Sequence, residues 1–292
     1  YNADTNPKKV NLGVGVYTDD NGKVPLLECV KRAEAQIVAQ STPWTYLPID
    51  GLAAYDKAVQ GLLFGADGEI VTAGRACTVQ ALGGTGGLRV GADFLRRFAP
   101  GAQVWISDPS WENHRALFEA AGFTVNAYPY YHAPKNGLDF DGMIGALSRA
   151  PEGHVVVLHA CCHNPTGADP TREQWDRILA VVRERGLVPF LDIAYQGFGD
   201  GIDADGEIVR RFGATPGPLL VASSFSKSFS LYGERVGALT LVTGSRDEAS
   251  RALSQLKRLV LTNYSNPPTN GGKIVATVLA SPELRALWES EL

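Results

Sequence analysis

Five short apolar runs, separated by longer amphipathic ones, constrain this chain more than any other feature. The runs cover residues 103–107, 154–159, 187–192, 219–223 and 237–242. They are rich in β-branched residues and apolar at consecutive positions, as in Val155-Val156-Val157-Leu158. That is the pattern of strands buried on both faces, not of strands with one wet side. Around and between them the spacing predicts helices over 27–40, 52–64, 85–98, 112–121, 171–185 and 246–261. The clearest is 171–185. Thr171 and Gln174 stand at capping-box spacing, and Trp175, Ile178, Leu179 and Val182 recur at i, i+3, i+4 and i+7. Gly186 suits its C-terminal stop. Strands alternating with helices imply an α/β fold with a mostly parallel sheet flanked by helices. In such sheets ligands bind outside the carboxyl ends of the strands, so the residues that close each strand carry the chemical information.

Composition excludes several classes. Hydrophobic residues make up 45% and charged residues 20%, the balance of a globular chain with a real core. The net charge of -4 lacks the basic excess of a nucleic-acid surface. No apolar stretch approaches the roughly 20 residues of a membrane-spanning helix, so no membrane partner is expected. The 4 cysteines are too few for a disulfide framework. Cys161 and Cys162 are expected to be reduced and buried, and the chain to be cytoplasmic. Residues 282–292 read as a further helical stretch.

Four constellations fall at strand ends. Gly83-Gly84-Thr85-Gly86-Gly87 stands just before a predicted helix, where backbone amides and the helix dipole can cradle an anion. Alone it reads better as a glycine-rich turn. It is neither a P-loop, having no Lys after the glycines, nor a dinucleotide fingerprint, because Arg89 fills the third glycine position. His163-Asn164-Pro165-Thr166-Gly167 follows the second apolar run and carries the turn signal of Asn-Pro with a nearby Gly. Its Asn164 amide can face a ligand. The Cys161-Cys162-His163 triplet raises a metal site, but consecutive strand positions point to opposite faces, so no metal is expected. Asp192 and Tyr195 close the third run, where an Asp is either a helix cap or a ligand group. Ser223-Ser224-Phe225-Ser226-Lys227 follows the fourth run, with Arg235 eight residues on. Lys227 is either a surface lysine or a partly desolvated amine able to form a Schiff base.

Together the four converge on one cofactor. The glycines, Thr85, Ser224 and Arg235 suit a phosphate dianion. Asp192 suits a pyridine nitrogen, and Asn164 and Tyr195 a phenolate oxygen. Lys227 suits an aldehyde, and Trp111 an aromatic ring. That is the inventory for pyridoxal 5'-phosphate.

The order of motifs then resembles a known family. Asn11-Leu12-Gly13-Val14-Gly15-Val16-Tyr17, the glycine segment, Pro109-Ser110-Trp111-Glu112-Asn113-His114, residues 161–167, 192–198 and 223–227, Glu234-Arg235-Val236-Gly237, and Asn263-Tyr264-Ser265-Asn266-Pro267-Pro268 are similar to the class I aspartate and aromatic amino acid aminotransferases. These are enzymes of pyridoxal-phosphate fold type I. The resemblance spans nearly the whole chain. It implies an N-terminal arm or small-domain segment over 1–24 and a large cofactor-binding domain over 25–292. The remainder of the small domain, with the Arg that clamps the substrate α-carboxylate, would lie beyond this chain.

The resemblance also implies roles. Lys227 binds the cofactor and moves the substrate proton. Asp192 pairs with the ring nitrogen, supported by His114 and His159. Tyr195 and Asn164 contact the phenolic oxygen, and Trp111 stacks on the ring. Gly84, Thr85, Ser224 and Arg235 hold the phosphate, with Tyr46 supplied by the other subunit of a homodimer with shared active sites. Val14, Gly15, Trp111, Asn164, Leu261 and Ser265 line the substrate side. The implied reaction is transamination of an L-amino acid to its 2-oxo acid, ping-pong with a second 2-oxo acid such as 2-oxoglutarate. Transamination of aspartate, or decarboxylation or β-elimination on the same cofactor, are the alternatives.

One departure bears on substrate. Leu261 stands where the family has an Arg for the substrate's distal carboxylate. An unpaired carboxylate in a low-dielectric pocket costs several kcal/mol, so aromatic or bulky apolar donors are expected over aspartate. Trp44-Thr45 add bulk beside Tyr46, near the expected pocket mouth.

Overall fold

The computed structural model describes every residue except Leu12, Val14 and Trp44. Before the first helix the described residues form no helix or strand. The elements then run α1 (Glu28–Ala39), α2 (Ala53–Phe64), α3 (Glu69–Thr72), β1 (Ala76–Leu82), α4 (Gly83–Phe98), β2 (Val104–Asp108), α5 (Glu112–Ala120) and β3 (Val125–Pro129). A small hairpin of β4 (Tyr131–His132) and β5 (Gly137–Leu138) follows, then α6 (Phe140–Leu147), β6 (Val155–His159), α7 (Arg172–Glu184) and β7 (Val188–Ile193). The last third holds α8 (Ile202–Asp205), α9 (Glu207–Gly213), β8 (Leu219–Ser224), β9 (Val236–Val242), α10 (Arg246–Asn263), α11 (Thr269–Ala280) and α12 (Pro282–Glu291).

All five expected strands and all seven expected helical stretches are present, within two residues at most ends. The main sheet has seven strands in the order β1-β9-β8-β7-β6-β2-β3. β3, β2, β6, β7 and β8 pair in parallel, while β9 runs antiparallel to both neighbours. The sheet is buried on both faces, which is why its strands read as unbroken apolar runs. Val156, Leu158, Leu191, Leu219 and Val221 point to one core, with helices α1, α2, α7 and α11. Val155, Val157, Phe190, Leu220 and Leu239 point to the other, with α4, α5 and α10. Successive residues of one strand thus fill opposite cores.

The register lines up the chemistry. His159 pairs with Asp192, Asp192 with Ala222, and Ser224 with Gly237. Because β9 is antiparallel, its beginning lies at the same edge as the ends of β6, β7 and β8. That brings Arg235, one residue before β9, beside Leu82 at the end of β1.

The glycine segment differs from expectation. It does not precede a helix; it forms the first turn of α4. Glycine is a poor helix former, so packing must decide, and the packing is close. A Cβ on Gly87 would lie 2.6 Å from the Ala238 carbonyl oxygen, and one on Gly91 2.4 Å from the Phe190 ring. Only a glycine-faced helix can lie this near the strands.

Candidate active site

A cavity of about 280 Å³ opens at the carboxyl edge of the sheet. Its walls include Gly15, Gly84, Thr85, Trp111, Asn164, Asp192, Tyr195, Ser224, Lys227 and Arg235. Ten residues expected at the site, scattered over 221 positions of sequence, therefore share one cavity.

The acidic end is built from β7. Asp192 is buried, and its Oδ2 accepts a hydrogen bond from His114 Nε2 at 2.8 Å. The other ring nitrogen of His114 meets Ser110 Oγ at 2.9 Å, so the imidazole is tethered at both ends. Burial alone would push the Asp192 carboxyl up. The His114 hydrogen bond, with the nearby His159 and Lys227, more than offsets this and holds it below the usual carboxylate range. Beside it, His159 lies with its ring 4.9 Å from that of His114, and burial holds its pKa down at about 4. Its Nε2 is buried and meets no hydrogen-bond partner among the described residues.

The loop that presents Asn164 is clamped from several sides. His163 Nε2 meets Ser107 Oγ at 2.9 Å, and Nδ1 meets Thr166 Oγ1 at 2.8 Å. The Tyr130 ring stacks on the His163 ring at 3.8 Å. The backbone N–H groups of Cys162 and His163 both donate to Asp169, at 2.6 and 2.8 Å.

Lys227 sits just past β8, with its Nζ 5.2 Å from the centre of the Tyr195 ring. Burial lowers its pKa, assisted by the Arg235 charge and opposed by Asp192. Burial raises the Tyr195 phenol, and the Asp192 charge adds to that. The basic end is a cradle. Past Gly83, whose N–H donates to the Arg235 carbonyl oxygen, the first turn of α4 offers free N–H groups, Ser224 and Thr85 offer hydroxyls, and Arg235 caps them. Arg235 comes so close to the backbone that a Cβ on Gly83 would fall 2.4 Å from its Nη2. Its Nη1 donates to Ser226 Oγ and to the Tyr232 carbonyl.

The set fits a phosphorylated pyridine aldehyde. An anion cradle, a desolvated amine and a buried carboxylate face one cavity, and an orphaned imidazole nitrogen opens beside them.

Not every expected residue is there. Tyr46 is 90% exposed, Leu261 is 51% exposed, and Ser265 and Thr45 are exposed as well; none borders the cavity. Val14 and Trp44 lie outside the described residues. Conversely Leu88, Ala194, Ser226 and Tyr232 line the cavity although sequence reasoning passed over them. Ser226 had a signal, since it is two residues from Ser224 in the same hydroxyl-rich segment. Tyr232 had none. It is placed by a turn, and its Oη accepts the Tyr17 N–H at 3.0 Å, which ties the N-terminal arm over the cavity. The expectation for Cys161 and Cys162 also needs correcting. Only Cys161 is buried, and Cys162 is half-buried. Nor are they strand residues: β6 ends at His159, and Cys162 turns the chain with φ of 50°.

Among the described residues no helix is long and apolar enough to cross a membrane. The family model for aminotransferases of class I and II matches residues 7–292. The chain is 59% identical over 292 residues to an aspartate aminotransferase of Pseudomonas aeruginosa, covering 100% of this chain and 73% of that protein. It is 47% identical over 293 residues to the aromatic-amino-acid aminotransferase of Escherichia coli, covering 100% and 74%. Among solved structures, it overlays on the aromatic-amino-acid aminotransferase from Burkholderia pseudomallei covalently bound to pyridoxal phosphate. The TM-score is 0.97 at 64% identity, over 99% of this chain and 73% of that one. With the parallel sheet, the carboxyl-edge cavity and the order of its motifs, these likenesses settle the family: the chain belongs to the class I and II aminotransferases, with the fold type I architecture.

Proposed function

We propose that this chain moves the amino group of an L-amino acid to a 2-oxo acid, using pyridoxal 5'-phosphate held in the Lys227 cavity. It takes aromatic or bulky apolar donors in preference to aspartate. The observation that carries the reading is the pairing of a desolvated Lys227 amine and a buried, ionised Asp192 in one cavity with an anion cradle. The bound cofactor supplies an aldehyde for the amine and an electron-accepting ring.

The chain's own residues do the rest. Gly84, Thr85, Ser224 and Arg235, with Ser226, hold the phosphate. Asp192, kept charged and aimed by His114, holds a proton on the ring nitrogen. Asn164 and Tyr195 donate to the phenolic oxygen, and Trp111 gives the ring a flat wall. Lys227 would hold the cofactor's aldehyde, and its lowered pKa would suit the free amine to take the substrate α-proton and return it one position away. The arm over 1–24, pinned through Tyr17 and Tyr232, covers the substrate side with Gly15.

Tyr46, Leu261 and Ser265 are exposed and lie off the cavity of their own chain. We assign them to the partner's cavity in a homodimer with shared sites. Leu261 there offers no donor to a distal carboxylate, which supports the apolar donor preference. The 59% identity to an aspartate aminotransferase favours aspartate as the second reading.

The loaded protein should be yellow, bleached by an amino donor, and after borohydride reduction should carry the cofactor mass on the Lys227 peptide. A label on another residue, or none, overturns the cofactor reading. Competing kcat/KM values for phenylalanine and aspartate decide the donor, and a clear preference for aspartate overturns that part alone.

A further inference from the structure

Outside the cavity, the turn that leaves β6 builds a second cluster. Cys161 and Cys162 are adjacent in sequence, where a strand would send their thiols apart. The positive φ of Cys162 turns its side chain back toward that of Cys161. The third member, Asp205, comes from α8 and is buried. The two Sγ atoms and a carboxylate oxygen of Asp205 all lie within 4.8 Å of one another.

We propose that Cys161, Cys162 and Asp205 form a site for a thiophilic divalent cation of the zinc and cadmium class, separate from the cofactor cavity. A tetrahedral ion with metal–sulfur bonds of about 2.3 Å spreads its donors to about 4 Å apart, which this cluster matches without a large backbone shift. Two thiolates and a carboxylate select a soft or borderline ion over magnesium or calcium, which prefer oxygen donors. A fourth position is left for water.

The surroundings support the assignment. Asp205 is held rigidly, its two oxygens accepting the N–H groups of Gly197, Gly199 and Asp200 at 2.7 to 3.0 Å. Asp169 accepts the N–H of Cys162. Both carboxylates take these hydrogen bonds from neutral backbone groups, so their charge remains to draw a cation. His163 is not a ligand, because Ser107 and Thr166 engage both its ring nitrogens. Cys162 lies with its Sγ 4.0 Å from the Tyr195 carbonyl oxygen, and it does not line the cofactor cavity.

The test is titration of the cofactor-loaded enzyme with cadmium chloride, followed by the ultraviolet thiolate-to-cadmium band and by calorimetry. One ion per chain is expected. Cys161→Ser and Cys162→Ser should each abolish the band, and Asp205→Asn should weaken binding about tenfold. Cys29→Ser and Cys77→Ser, at buried cysteines elsewhere, should leave it intact. Zinc should displace cadmium and remove the band. A second measurement needs no variant: cadmium should slow carbamidomethylation of Cys162 by iodoacetamide, mapped by mass spectrometry. A band that survives both serine variants overturns the site, and so does a Cys162 alkylation rate that cadmium leaves unchanged.

Discussion

Leu261 is one exposed side chain on α10, yet in the proposed dimer it would bear on what the enzyme selects. A hydrogen bond to a charged group contributes about 1.5–3 kcal/mol, and one more is gained when the pair is bidentate. Leu261→Arg should therefore raise kcat/KM for aspartate relative to phenylalanine by about 10- to 100-fold. Steady-state kinetics with both donors checks this, and an unchanged ratio would remove residue 261 from the substrate pocket. Lys227 shows how a residue becomes chemical through its surroundings. In sequence it is a lysine in a serine-rich loop, indistinguishable from a surface cation. Burial, with the Arg235 charge and against that of Asp192, lowers its pKa.

At the scale of elements, α4 is the part on which the proposed phosphate cradle depends. Two effects compete in Gly87→Ala. Alanine stabilises a helix interior by about 0.5–1 kcal/mol over glycine. Against that, its Cβ would meet the Ala238 carbonyl oxygen at 2.6 Å, and overpacking costs about 1–3 kcal/mol. The clash should win, because the obstacle is strand backbone and not a side chain that can turn away. Gly87→Ala should lower the denaturation midpoint and weaken cofactor affinity together. Thr171→Ala provides the contrast. Its hydroxyl accepts the Gln174 N–H in a full capping box on α7, and it does not line the cavity. Its loss should cost about 1 kcal/mol in stability with no change in cofactor affinity. Urea titration and a cofactor-binding curve on both variants separate the two cases.

Two predictions belong to the whole molecule. Burial holds His159 at about 4 and His163 at about 3, against an ordinary value near 6.5. Between those values the unfolded chain binds protons that the folded chain refuses. Stability is therefore full above about pH 6.5 and falls as pH drops toward 4, by up to about 1.4 kcal/mol per unit for each histidine. Denaturant midpoints at pH 7 and pH 5 should differ accordingly; equal midpoints would mean that neither imidazole is held neutral. The second concerns assembly. If Tyr46 completes a partner's cavity, Lys227→Ala and Tyr46→Ala chains are each impaired alone. Refolded together, they should form mixed dimers with one intact cavity and regain activity. No recovery on mixing would place Tyr46 outside the neighbouring site.

The amino-acid sequence by itself determined the layers and the kit of parts. Doubly buried strands need consecutive apolar residues, so β2, β6, β7, β8 and β9 were legible, as were the capped and periodic helices such as α7. β1 and β3 were not, because Ala76–Leu82 mixes Thr78 and Gln80 with its apolar residues and Val125–Pro129 is a half-exposed edge. Asp192, Asn164, Lys227 and Arg235 could be picked out only as a set: each alone reads as a cap, a turn or a surface residue, and together they match one cofactor. Only the tertiary structure decided how those parts meet. The antiparallel course of β9 sets Arg235 beside Gly83, the α4 glycines enter the helix because packing overrides propensity, and Tyr232 reaches the cavity through a turn. The backbone reversal at Cys162 likewise gathers two thiols that a strand would have separated. Each of these rests on contacts between residues far apart in the chain, or on a single dihedral angle, and neither leaves a periodic trace in the sequence.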